Sequence, residues 1–180
     1  LAIFVRVDYF NSNNNNMDRG GDEPWSKINV AQRWISQSNS GVPLAFGPLH
    51  TYVISFFWLI DKENFIFFSR LFSLILNLLS LPLFFLLMWQ IFGLKVAFFG
   101  FFLFALLPLH IHLGSVSLAE APALFFFLVS LYFFLKEFFE KEVKYNLLFS
   151  AVALNCATMF RFEYFIIIGL YAILLFYKHK

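Results

Sequence analysis

The sequence predicts an all-α integral membrane protein: a polytopic helical bundle with an interfacial amphipathic helix in its first outer loop. Three observations predict it. Of 180 residues, 61% are hydrophobic and only 13% charged, whereas a soluble domain is about half apolar and a quarter charged. The apolar residues run in long blocks, and a helix that crosses a bilayer needs roughly 20 of them. The charges gather in short stretches between those blocks. Phenylalanine alone supplies 29 residues, so much of the apolar surface is aromatic. The formal net charge of +2 comes without a basic stripe, which argues against nucleic acid as a partner. Cys156 is the single cysteine, so no internal disulfide forms, and a small buried apolar side chain is its simplest reading.

The elements follow in order. Leu1 to Val7 is apolar apart from Arg6 and reads as the end of a first transmembrane helix. Its abrupt start, like the abrupt end at Lys178-His179-Lys180, is expected of a fragment of a longer membrane protein. Residues 8–64 form an outer loop region. The run Asn11 to Asn16 has little to bury and predicts a plain linker. Pro24 suits a first helical turn, with Asp22 or Glu23 as N-cap. Trp25, Ile28, Ala31, Trp34 and Ile35 then recur at helical spacing, with Lys27, Gln32 and Arg33 elsewhere around the wheel. Such a helix suits the membrane interface. Residues 42–60 are apolar but carry Pro43, Gly47, Pro48 and His50. From 65 to 180 the chain predicts a transmembrane bundle, with spans at about 65–92, 96–113, 118–138, 145–160 and 164–177.

Positive charge marks the cytoplasmic side of short loops. Lys95, the group Lys136, Lys141 and Lys144, and the pair Lys178 and Lys180 fall at alternate span ends. Placing all of them in the cytoplasm puts Glu120, Arg161, Glu163 and the loop 61–64 outside. Residues 42–60 then begin and end outside, as an interfacial or re-entrant helix, which their Pro, Gly and His content allows. The rival arrangement makes 42–60 a true span and moves the lysines outside. Under the first arrangement Asp22, Glu23, Glu120, Arg161 and Glu163 share one compartment. Ionisable groups beside apolar spans are functional candidates.

The order of these motifs resembles the GT-C glycosyltransferases. Gly21-Asp22-Glu23 before an amphipathic helix is similar to their first outer loop, and Gly47-Pro48-Leu49-His50-Thr51-Tyr52 to the proline-led segment that follows. Arg70-Leu71, Phe92-Gly93, Leu107-Pro108 and Ser117-Leu-Ala-Glu120 match the rhythm of the next helices, and Met159-Phe-Arg161-Phe-Glu163 the basic residue ending a short helix. The branch it resembles most is that of the protein mannosyltransferases and aminoarabinose transferases, family 39. The likeness covers most of the chain from Gly20. Two mild departures are Gly47-Pro48 in place of Pro-Pro and Glu120 in place of Asp.

The resemblance implies a membrane glycosyltransferase of the cell envelope. The donor would be a polyprenyl-phosphate sugar and the acceptor a hydroxyl on a protein, lipid or glycan. Transfer would occur at the outer or lumenal face, with inversion, and the setting would be a prokaryotic plasma membrane. Such chemistry needs a carboxylate to take the acceptor proton and positive charge on the departing phosphate. Asp22 is the expected general base; from its position alone a helix N-cap accounts for it equally well. Glu23 is expected to support it or to favour the helix dipole. Glu120 is the second catalytic candidate, to orient the acceptor or hold a metal ion. Arg161 is the expected phosphate ligand, since a guanidinium grips phosphate through two hydrogen bonds. Arg70 and His50 are further candidates for the donor phosphate, although Arg70 also suits snorkelling to the headgroups and His50 the interface. Glu120, His110 and His112 form a candidate divalent-metal set, against which the His-x-His spacing counts, because helical residues two apart diverge. Two other classes fit the composition. A transporter places polar groups near the bilayer midplane and often shows repeats, and no repeat is visible here. A membrane assembly protein would leave the acids merely solvated.

Overall fold

A computed structural model describes residues 2–12, 47–139 and 145–178. Asp22, Glu23 and the expected amphipathic helix lie outside the described residues. Those described are helical, with no strand among them. The helices are α1 (Ala2–Ser12), α2 (Pro48–Ile60), α3 (Phe65–Phe92), α4 (Leu94–Leu106), α5 (Pro108–Ser115), α6 (Glu120–Phe139), α7 (Asn146–Phe160) and α8 (Phe165–Lys178), with a 3₁₀ turn at Phe162–Tyr164 before α8. Among the described residues α3 and α6 are each long and apolar enough to cross a membrane, and α4 with α5 makes a third if the bent pair is one span. The protein is thus an all-α membrane protein.

Two expectations from sequence change. The block 96–113 is not one helix. It breaks at Leu107-Pro108, and the two pieces meet at 55°. Proline lacks an N–H and pushes the preceding residue out of the helical region, and Leu107 is accordingly extended, at φ −61° and ψ 117°. The first helix also runs further than Val7. It continues through Asp8 to Ser12 because Phe10 is a core residue: it is buried, with its ring edge-on to Phe67 and under the Arg70 guanidinium.

Gly93 joins α3 to α4 without a loop. Its φ of +83° is the one positive value among the described residues, and glycine alone adopts it without penalty. The core of the bundle is the α6–α7 hairpin packed on α3. Ala123 and Ala157 are fully buried, and small residues let membrane helices approach closely. Deeper in the hairpin, Ser150 Oγ donates to the Ser130 carbonyl at 2.9 Å.

These contacts sort the helix ends. At one end lie the start of α3, the end of α5, the start of α6 and the end of α7, joined by Ser69–Ser117, Arg70–Ser115 and Glu120–Arg161. At the other end Lys178 donates to the Glu137 carbonyl, and Lys136 lines a small cavity with Trp89 and Gln90. Helix α2 begins and finishes at the Glu120 end. Gly47 abuts the backbone of Met159 and Phe160, while Ile54 packs on Phe65 and Phe57 faces Phe68 and Phe72. The turn after α2 is tied by Asp61, whose carboxylate accepts from Glu63 N, Asn64 N and Asn64 Nδ2 at 2.9, 3.1 and 2.9 Å.

Candidate active site

Glu120 opens α6, where a carboxylate is favoured by the helix dipole. The chain that delivers it is buried from Ser115 to Ala119 and pinned from α3. Ser69 and Ser117 share a hydroxyl–hydroxyl hydrogen bond of 2.5 Å, and Arg70 Nε donates to the Ser115 carbonyl at 2.8 Å. Glu120 is therefore held on a fixed mount.

Arg161 faces it from the end of α7. Its N–H caps that helix on the Ala157 carbonyl at 2.9 Å, and its extended backbone turns the chain away. A cation is favoured beyond a helix C-terminus. The Arg161 Nη1 donates to Glu120 Oε1, across 41 positions of sequence. Nε and Nη2 reach the two oxygens of Glu163 at 3.2 and 2.6 Å. The side chains of Arg161 and Glu120 are 28% and 24% exposed, and that of Glu163 66%. Glu120 Oε2 is buried and accepts no hydrogen bond among the described residues. A buried acceptor without a donor is costly, so this oxygen is poised for a hydroxyl or other donor brought from elsewhere. His50 completes the surround: it is buried in the first turn of α2, with its ring 6.5 Å from that of Phe160.

The other candidates stand apart from this pair. Arg70 is buried. It donates to the carbonyls of Ser115 and Phe10 at 2.8 and 2.9 Å and covers the Phe10 ring, an arrangement of a structural strut. His110 is buried within the bundle, with Arg6 Nη2 at 2.7 Å from Nδ1 and Ser80 Oγ at 3.0 Å from Nε2. Both nitrogens are engaged, so neither is offered to a metal. His112 contacts the Tyr9 hydroxyl instead, at 3.2 Å. Among the described residues no three His, Cys, Asp or Glu side chains come together as a metal set. Among the described residues the donors around Glu120 do not fit a divalent ion.

Sequence reasoning passed over Arg6, Asn77 and Ser80, which surround His110. The signal was available for Arg6: it is the single charge in an otherwise apolar run, and such a residue seeks the bundle interior.

The site has one charged cluster, at a helix-start carboxylate and a helix-end guanidinium, on a membrane bundle. The family model described as dolichyl-phosphate-mannose-protein mannosyltransferase matches residues 33–179. No curated protein and no solved structure matches the chain. The match covers Glu120, Arg161 and every helix from α2 to α8, and the chain belongs to the dolichyl-phosphate-mannose-protein mannosyltransferase family, as a membrane glycosyltransferase.

Proposed function

We propose that the protein transfers a sugar from a polyprenyl-phosphate donor to an acceptor hydroxyl, with inversion, at the outer or lumenal face of a prokaryotic plasma membrane. The observation that carries this reading is the divided state of Glu120. One oxygen is held by Arg161, and the other is buried with no donor among the described residues. In the proposed reaction that second oxygen accepts a hydrogen bond from the acceptor and orients it. Asp22, with Glu23 beside it, takes the proton of the attacking hydroxyl as the bond to the anomeric carbon forms. The bond from that carbon to the phosphate oxygen breaks, and Arg161 stabilises the departing phosphate. The phosphate displaces Glu163 rather than Glu120, because Glu163 is the more exposed of the two partners. His50, in the first turn of α2, sits beside Phe160 at the end of α7.

The test is transfer by the full-length protein from dolichyl-phosphate mannose to a peptide acceptor. Asp22→Asn should lower kcat by roughly 10²–10⁴, the range for a lost general base. Arg161→Ala should lower it by roughly 10²–10³, the range for one lost charge-stabilising donor. Wild-type turnover in Asp22→Asn would remove the aspartate from the mechanism.

A further inference from the structure

The break at Leu107-Pro108 removes helical hydrogen bonds in the middle of the bundle. In an unbroken helix the Ala105 carbonyl would accept from the N–H four residues on. Here it accepts from Arg6 Nη1 at 2.7 Å. The same guanidinium donates through Nε to Asn77 Oδ1 at 2.9 Å and through Nη1 to the Ala2 carbonyl at 3.1 Å. Its Nη2 lies 2.7 Å from His110 Nδ1. Arg6 is fully buried, and no carboxylate is among these partners.

The hydrogen bonds fix the chemical state of His110. A guanidinium only donates, so Nδ1 accepts and carries no proton. Nε2 then holds the proton and donates to Ser80 Oγ at 3.0 Å, and the Ser80 hydroxyl in turn donates a hydrogen bond to the Asn77 backbone carbonyl at 2.6 Å. Asn77 Nδ2 donates to the His110 carbonyl at 2.8 Å. Two residues flanking the break, Ala105 and His110, are thus held by one cation from α1 and one amide from α3. Gly114 lets α5 lie directly on that amide, since a Cβ there would come within 2.6 Å of Asn77 Cγ.

From these contacts we infer that Arg6 and His110 form a clamp that sets the bend of the broken span and, through α5, the position of Glu120. Helix α5 has only eight residues, and it leads directly into Ser115 and Ser117, the two points pinned by Arg70 and Ser69. A change in its angle therefore moves both pins and the residue they deliver. Arg6 and His110 are positioning residues, acting through Ser115 and Ser117. Their bearing on Glu120 rests on the proposed transfer reaction; the clamp itself does not.

The experiment is cross-linking in the full-length protein with its native cysteines, Cys156 among them, replaced by Ser, and carrying Ser69→Cys and Ser117→Cys. The two hydroxyls are 2.5 Å apart, so the cysteines fall within disulfide reach. Two variants of equal polarity are compared. His110→Asn places an amide oxygen where Nδ1 was, and keeps an acceptor for Arg6. His110→Gln reaches the Nε2 position and leaves Arg6 without that acceptor. His110→Asn should cross-link at the parent rate, and His110→Gln roughly tenfold more slowly, as loss of a hydrogen bond to a charged group implies. Equal rates in the two variants, whether both fast or both slow, would overturn the clamp. In the transfer assay, on the protein with its native Ser69, Ser117 and Cys156, His110→Gln should lower kcat with KM for the donor lipid unchanged. A cross-linking difference without any kcat difference would leave the clamp standing and remove its link to catalysis.

Discussion

Replacing Glu120 by Gln keeps the side chain's shape and removes its charge, and the structure sets how much that should cost. Arg161 keeps its two-pronged contact with Glu163, so the guanidinium is not abandoned. What is lost is a charge-assisted contact between groups 24% and 28% exposed. Hydrogen bonds to charged groups contribute about 1.5–3 kcal/mol when covered, and partial exposure brings the expectation to the lower end, ~1–2 kcal/mol. Glu163 is 66% exposed, and after discounting for solvent screening its pair with Arg161 contributes ~0–1 kcal/mol. For a chain of this size each kcal/mol shifts Tm by about 2–4 °C. Thermal unfolding of the full-length protein in detergent should therefore show Glu120→Gln several degrees below wild type and Glu163→Gln close to it. Double-mutant cycles with Arg161→Gln should assign the larger coupling to the 120–161 pair. Raising the salt concentration should erode the 163–161 coupling first, because exposed pairs are screened more strongly. An equal or larger cost for Glu163→Gln would refute the reasoning, since it would mean that burial does not set the strength of this cluster.

Two further outcomes follow from the same end of the bundle. Gly47→Ala would drive a Cβ into the Met159 carbonyl oxygen. Backbone must move to admit it, so a loss of ~1–3 kcal/mol is expected from overpacking, read as a lower Tm together with reduced transfer; wild-type values for both would show that α2 does not dock there. Asp61 is held below the usual carboxylate range by its side-chain bond from Asn64 and its backbone bonds from Glu63 and Asn64. Its folded pKa is thus the lower one. The turn's contribution is present above the unfolded value of about 3.9 and is lost as pH falls through the folded value. Amide protection at Glu63 and Asn64 should fall on that acid limb and should be independent of pH there in Asp61→Asn.

The helices were legible because a bilayer demands long apolar blocks, and composition alone marks those. Phe65–Phe92 has the bounds that its block gives. Where tertiary contact decides, the reading from sequence fell short. The polar letters Asp8, Asn11 and Ser12 suggested loop, yet α1 continues through them because Phe10 has a partner in Arg70. Pro108 was visible in the sequence as a proline inside a span. The depth of the break was not, because it depends on Arg6 taking the Ala105 carbonyl, which the break leaves without its helical partner.

The charged residues show the same division more sharply. Arg6, Arg70 and Arg161 each border an apolar stretch and look alike as letters. Two of them are buried and donate to carbonyls, a histidine and an amide, whereas Arg161 meets the carboxylates of Glu120 and Glu163. The difference comes from the hairpin. Helices α6 and α7 run antiparallel, so the start of one and the end of the other must meet, and counting spans was enough to bring residues 120 and 161 to one end. Arg6 and Arg70 are instead surrounded by helix ends whose carbonyls lack partners, at the break before Pro108 and at the end of α5. A guanidinium with five donors is the side chain that satisfies several such carbonyls at once. The buried arginines therefore tie helix ends together, and the more exposed Arg161 holds the carboxylates of the α6–α7 end.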